Sequence, residues 1–340
     1  MTPPVTRREA RAAHLLTVAS APVRHARARR ADRIRVTFAC VATVVLTVGG
    51  AAAITSAVIA PDFTASAGVV ADAVPPSESP PAPQAVSALP APTVAAAPAL
   101  VDLCADPAFV AALNAGDDGG AIEAAGGGEA FRTAVATGHA ACAPLADLGR
   151  VWAVVNKARP ADPVDYRPGD LVAPPTRDNS GGTLRADAAT ALAEMASAAA
   201  TAGAGEIALA SGFRSYEMQR STYQRQVSSR GGAAADTVSA RPGHSEHQSG
   251  LAADVTACSS GCADMGAFGG TPQQAWVTAH SWEYGWIVRY VEGRTEVTGY
   301  SPEPWHLRYV GRELATAYHQ GGWQTLEEFF GLPAAPDYPG

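Results

Sequence analysis

Apolar positions recur at helical spacing over Ala186–Ala202, where Leu192, Met195 and many alanines share a face. An apolar run at Glu206–Ser211 follows and reads as a strand. Ser215–Arg230 reads as a helix with Ser215 as its N-cap and Glu217 in the first turn. Thr271-Pro272-Gln273-Gln274 has the form of a capping box with Pro at the first helical position, and it opens a helix that ends at Gly285. Gly285–Tyr290 and Trp305–Val310 then read as strands. Helices and strands that follow one another without a strict βαβ rhythm predict an α+β fold, an antiparallel sheet with helices packed against it. Ahead of this region, residues 101–149 are rich in Ala and Gly, with helical signals at Pro107–Asn114 and Glu129–Thr137. Glycines at 116, 119, 120, 126, 127 and 128 keep those helices short, so the segment reads as a small helical subdomain or prefix with no assigned chemistry.

The first hundred residues follow a different pattern. Val36–Ala60 is a run of 25 residues without a charge, long enough to span a bilayer core of about 30 Å. Residues 1–35 carry nine Arg against Glu9 and Asp32. The positive-inside rule therefore keeps this arm in the cytoplasm and sends the chain after Pro61 outside, as a single-pass protein of the cell membrane. A cleaved signal peptide is the competing reading, but its apolar region would ordinarily be only about 7–15 residues long. Residues 61–100 hold nine prolines among Ala, Ser and Val, a composition that forms an extended spacer and buries no core. The arm is +7 in a chain of net −7, so the rest stands at −14. A folded domain of that sign argues against nucleic acid as a partner. Residues 332–340 form a short tail after the folded domain at 150–331, which is expected to be monomeric.

Of five cysteines, Cys40 lies in the apolar run, and the other four fall as Cys104 with Cys142 and Cys258 with Cys262. Outside the membrane such pairs become disulfides, and 104–142 and 258–262 are the expected bonds. A four-cysteine zinc site fits the Cys-x3-Cys spacing poorly.

The densest chemistry lies in Ser245-Glu246-His247-Gln248-Ser249-Gly250-Leu251-Ala252-Ala253-Asp254, where His247 and Asp254 are separated by seven positions. An imidazole nitrogen and a carboxylate oxygen are two of the donor types that catalytic zinc uses, with a third protein ligand and one open position. Downstream, Glu303-Pro304-Trp305-His306-Leu307-Arg308-Tyr309-Val310 offers a second His. On a strand, Trp305, Leu307 and Tyr309 take one face and His306 and Arg308 the other, which leaves His306 free to point into a site. Pro304 argues against a helix and against the helical His-Glu-x-x-His arrangement. By spacing alone, a His and an Asp on neighbouring strands are more often a satisfied polar pair than a metal site, and His244, three residues before His247, competes for the ligand role.

Four ordered motifs add a family resemblance. Ser211-Gly212-Phe213-Arg214-Ser215 with Gln219, then Pro242-Gly243 with Ser245–Gly250, then Tyr284–Tyr290, then Glu303-Pro304-Trp305-His306 resemble the VanY-type D-alanyl-D-alanine carboxypeptidases, a zinc peptidase family. The resemblance covers roughly residues 150–331, from an Asn156-Lys157-x-Arg159-Pro160 lead-in to Leu326-Glu327-Glu328. It implies that His247, Asp254 and His306 bind zinc and that Glu303 is the general base. Apart from the resemblance, Glu246 is the next candidate for that base. The resemblance also implies that Arg214 stabilises the oxyanion or holds the product carboxylate, and that Gln219, Ser245 and Trp305 contact the substrate. His244 occupies a slot that is not a ligand in the family pattern, which makes it a rim residue. The implied substrate is a peptidoglycan stem peptide ending in D-alanyl-D-alanine. A D,D-dipeptidase or endopeptidase with the same zinc chemistry is the alternative. A non-catalytic wall-binding module would lack a ligand or the base, and neither is missing here.

Overall fold

The computed structural model describes residues 101–178 and 182–339. The predicted arm, the apolar segment 36–60 and the linker 61–100 lie outside the described residues. Among those described, no helix is long and apolar enough to cross a membrane. Numbered in chain order, the strands are β1 (Leu171–Val172), β2 (Arg177–Asp178), β3 (Leu184–Arg185), β4 (Glu206–Ser211), β5 (Ala252–Cys258), β6 (Trp286–Tyr290) and β7 (Glu303–Tyr309). A five-stranded sheet has the order β2-β4-β5-β7-β6, and β1 pairs with β3 separately.

The main sheet is antiparallel except at one edge, where β2 runs parallel to β4. The parallel edge is an addition to the expected antiparallel sheet. The chain reaches β4 from β2 only after the Ala186–Thr201 helix, and a parallel pair requires such a crossover. Two-residue strands carry no periodicity, so β1, β2 and β3 leave no signal in the sequence.

The long helices form where the apolar spacing places them. Ala186–Thr201 lays Ala188, Leu192, Met195 and Ala199 onto the sheet, against Ile207, Leu209, Val255 and Leu307. Each large aliphatic side chain buried here is worth about 1.5–3 kcal/mol relative to exposure. Tyr216–Arg230 starts where Ser215 Oγ accepts the amide of Met218 at 3.3 Å. Pro272–His280 starts where Thr271 Oγ1 accepts the amide of Gln274 at 3.1 Å, and a 3-10 turn continues it to Tyr284. The reciprocal bond of that capping box is displaced by one residue, because Gln274 Oε1 accepts from Gly270 N at 3.3 Å.

Residues 101–149 contribute three short helices, Pro107–Ala115, Asp118–Ala124 and Gly128–Ala136. The middle one is capped by Asp117, which accepts the amide of Gly120, and its two early glycines hid it from a propensity reading. Phe109, Ile122 and Phe131 from these helices are fully buried in one cluster with Trp152, Leu314 and Phe329. The rings of Phe131 and Trp152 stand 4.9 Å apart. The segment thus shares its core with the C-terminal helices, and Cys104–Cys142 closes it while Cys258–Cys262 closes the turn after β5.

Truncating a fully buried Phe costs about 3–5 kcal/mol. Phe131→Ala is therefore expected to lower the stability of the whole folded region by that amount in one cooperative transition. Denaturant unfolding followed by tryptophan fluorescence checks this. An early transition that leaves the rest at wild-type stability would mean that the helical segment folds on its own.

Candidate active site

The sheet register brings three strands' polar side chains to one place. Asp254 on β5 stands opposite His306 on β7 and opposite Ser211 on β4, and Glu303 on β7 stands opposite Tyr290 on β6. Register shifts at Leu209/Ser211 and at Val288/Tyr290 flank the site on both sides. Such irregularities bend a strand and re-aim its side chains. His247 comes from the 3-10 turn Glu246–Ser249, which Gly250 ends at φ +73°, a conformation that costs an L side chain free energy. Next to it, the carbonyl of Gly212 accepts from His247 Nδ1 at 2.7 Å. Only glycine fits at 212, because a Cβ there would lie 2.3 Å from Thr183 O.

A carbonyl oxygen only accepts, so the bond to Gly212 puts the proton on Nδ1 of His247 and leaves the Nε2 lone pair free. That Nε2 lies 3.3 Å from Asp254 Oδ2, while Asp254 Oδ1 lies 3.2 Å from His306 Nδ1. The two imidazoles meet edge to face with centroids 5.0 Å apart. One donor atom from each of the three residues lies within 4.8 Å of the others, and all three residues are buried. His247 Nε2 and Asp254 Oδ1 make no hydrogen bond although no solvent reaches them. Buried polar atoms of folded proteins are nearly always paired, and two that converge without partners fit the donors of a metal ion. The nitrogen–oxygen–nitrogen set matches what zinc takes.

The surrounding charges pull the titrations apart. Burial, then the charge of Arg214, lower the pKa of His247 to about 4. Burial opposes ionisation of Asp254, yet the imidazoles of His247 and His306 hold it well below the usual carboxylate range. Burial also works against a charged His306, but its contacts with Asp254 and Glu246 outweigh it and raise the pKa to about 9. Glu303 has its Oε2 3.5 Å from His306 Nδ1, and burial raises its pKa to about 7. A carboxyl poised there suits a general base at neutral pH.

A cleft of about 330 Å³ opens over this cluster, with Arg214, Ser245, Tyr290, Glu303 and Trp305 in its wall. Arg214 Nη1 donates to Ser211 Oγ at 2.8 Å and to Asp254 Oδ2 at 3.3 Å. Gln219 is fully buried behind Arg214. Its Oε1 accepts from Arg214 Nε at 3.0 Å and its amide donates to Ala240 O at 2.7 Å, so it aims the guanidinium. His244 has Nδ1 2.8 Å from Asn156 O, and its ring forms a T-shaped pair with that of Tyr338. Glu246 is buried on the far side of His306, between Arg289 and Arg308. Burial favours its neutral form, but Arg289 before all, with His306 and Arg308, holds its pKa well below the ordinary range. Sequence reading missed this surrounding network and the cleft wall formed by Thr222, Gln226 and Arg230. The spacing of those three at four residues on one helix was the available signal.

The chain is similar in sequence to known proteins. The sequence model of the VanY family, described as D-alanyl-D-alanine carboxypeptidase, matches residues 181–312. A putative carboxypeptidase of Bacillus subtilis, YodJ, is 40% identical over 185 residues, which are 53% of this chain and 67% of that protein. A D-alanyl-D-alanine carboxypeptidase of Enterococcus faecalis is 41% identical over 131 residues, 36% of this chain and 46% of that one, so this chain spans less than half of that relative's length. Among solved structures, the LdcB LD-carboxypeptidase is 39% identical, with a TM-score of 0.49 over 53% of this chain and 86% of that chain. With the family's matched region enclosing His247, Asp254, Glu303 and His306, and with two thirds of a 40% identical relative covered, the chain belongs to the VanY family of D-alanyl-D-alanine carboxypeptidases.

Proposed function

We propose that the protein is a zinc-dependent D,D-carboxypeptidase that removes the terminal D-alanine from peptidoglycan stem peptides. The observation that carries this reading is the convergence of three buried donors, His247, Asp254 and His306, at the cleft floor, where His247 Nε2 and Asp254 Oδ1 make no aligned hydrogen bond. His247, Asp254 and His306 would hold the zinc ion, which would supply a Lewis acid for the scissile carbonyl and for the attacking water. Glu303 takes the proton of the attacking water and returns it to the nitrogen of the departing D-alanine, so the peptide bond breaks with no net change in protonation of the enzyme. Arg214 stands against Asp254 and so beside the reacting centre, where its fixed charge stabilises the negative charge that develops on the carbonyl oxygen. Ser245 and Trp305 line the same cleft and contact the peptide. Anchorage through residues 36–60 and a spacer over 61–100 carry the enzyme, as a monomer, to the wall outside the membrane.

The reading is tested with the full chain and a pentapeptide ending in D-alanyl-D-alanine. One D-alanine per peptide is expected to be released, the release to stop with a chelator and to return with zinc. Release of intact D-alanyl-D-alanine, cleavage only of the free dipeptide or of cross-linked dimers, or action only on a tetrapeptide would reassign the substrate. Activity that survives complete metal removal would refute the zinc reading.

Separating binding from chemistry gives a second outcome. Glu303→Gln keeps all three donors, and a positioned general base contributes about 10²–10⁴-fold. The variant is expected to retain zinc and to lose on the order of 10²-fold or more in turnover. Near wild-type turnover would take the base role from Glu303, and loss of zinc would make Glu303 a ligand.

A further inference from the structure

We infer that Glu246 is a positioning residue of the metal centre, which fixes the ring of His306 so that Nδ1, and not Nε2, is turned toward Asp254 and His247. The inference rests on the zinc reading above and extends it to a residue outside the ligand set. Glu246 Oε2 lies 3.3 Å from His306 Nε2, on the ring edge opposite the one that faces Asp254 and Glu303. Its other oxygen accepts from Arg289 Nε at 2.8 Å and lies 3.5 Å from Arg308 Nη1. All three side chains are shut off from solvent.

The geometry makes Glu246 the acceptor for His306 Nε2, so the nitrogen that would give up its proton to a metal is Nδ1, on the edge facing Asp254 and His247. His247 is set the opposite way, through Nδ1 to the carbonyl of Gly212. The two histidines therefore present different nitrogens, each selected by an acceptor on its far side.

Glu246 is itself held in place. Arg289 reaches past it to Glu327 with Nη1 and Nη2 at 3.0 and 2.8 Å, and Asn156 donates to the same carboxylate at 2.9 Å. Arg308 donates to the carbonyls of Val151 and Ala153 at 3.1 and 2.8 Å. Two arginines and two glutamates balance in charge, and the carboxylate nearest the site is gripped from both sides. This placement also removes Glu246 from the role of alternative base, because His306 stands between it and Glu303.

The test measures zinc affinity of the full chain by competition with a chromophoric chelator, together with the visible spectrum of the cobalt-loaded protein and the unfolding midpoint. Loss of an outer partner of a metal-binding His typically weakens metal binding by about 10–100-fold. Glu246→Gln is expected to fall in that range, with an altered cobalt spectrum. Glu246→Asp keeps the charge between the arginines but withdraws the oxygen from His306, so it is expected to fold and still to bind zinc at least about 10-fold more weakly. Glu327→Gln breaks the same buried network without touching His306, and it is expected to lower the unfolding midpoint while leaving zinc affinity within about 3-fold of wild type. Wild-type zinc affinity in a folded Glu246→Asp protein would overturn the inference, as would an equal loss in Glu327→Gln. Failure of the wild-type chain to bind zinc would instead overturn the function proposed above.

Discussion

β5 and β7 pair so that Ala253 meets Leu307 on one face and Asp254 meets His306 on the other, and the site depends on that register. A slip of one residue exchanges the faces of a strand. It would turn His306 into the cluster of Leu192, Leu209 and Val255, and would bring Leu307 to the floor of the cleft. Two different forces oppose the slip. Leu307 and Val255 are completely buried on the core side, at about 1.5–3 kcal/mol each. On the other side, moving Arg308 away from Glu246 and the two backbone carbonyls would strand a buried charge, which costs about 3–5 kcal/mol.

The four buried charges beside this pairing are better understood as specification than as stabilisation. Arg289, Arg308, Glu246 and Glu327 have no exposed side-chain surface, and the desolvation of such groups offsets much of their attraction. An apolar quartet of the same volume would hold the sheet as well. What it would not do is link Glu327 near the C-terminus, the chain at Val151–Asn156 and the turn that carries His247 into one rigid frame under the site. The turn that carries His247 is thus tied to two segments that lie well before and well after it in sequence.

How much of this was legible follows from the range of each interaction. Glu206–Ser211 was readable as a strand and Ser215 as a cap because apolar runs and cap residues act over a few positions. Alternation also predicted that His306 and Arg308 share a face, although Arg308 turned out to serve the buried frame rather than the cleft. His247, Asp254 and His306 were singled out by motif, and the fold brings them together. The bond from Arg214 to Gln219 was not legible, because a motif position says nothing of which side chain aims which. Asn156 and Glu327 sit in motifs whose purpose is invisible locally, since their bond spans 171 positions. The parallel edge at β2 needed the third dimension for the same reason.

The chemistry of the site turns on where a metal ion sits. Crystals of the full folded chain grown with zinc, measured on both sides of the zinc absorption edge, locate that ion by its anomalous scattering. One strong site is expected at the cleft floor, bonded to His247 Nε2, an oxygen of Asp254 and His306 Nδ1, with Glu303 close by and unbound. No zinc at that position, or zinc bonded through His306 Nε2, would contradict the account.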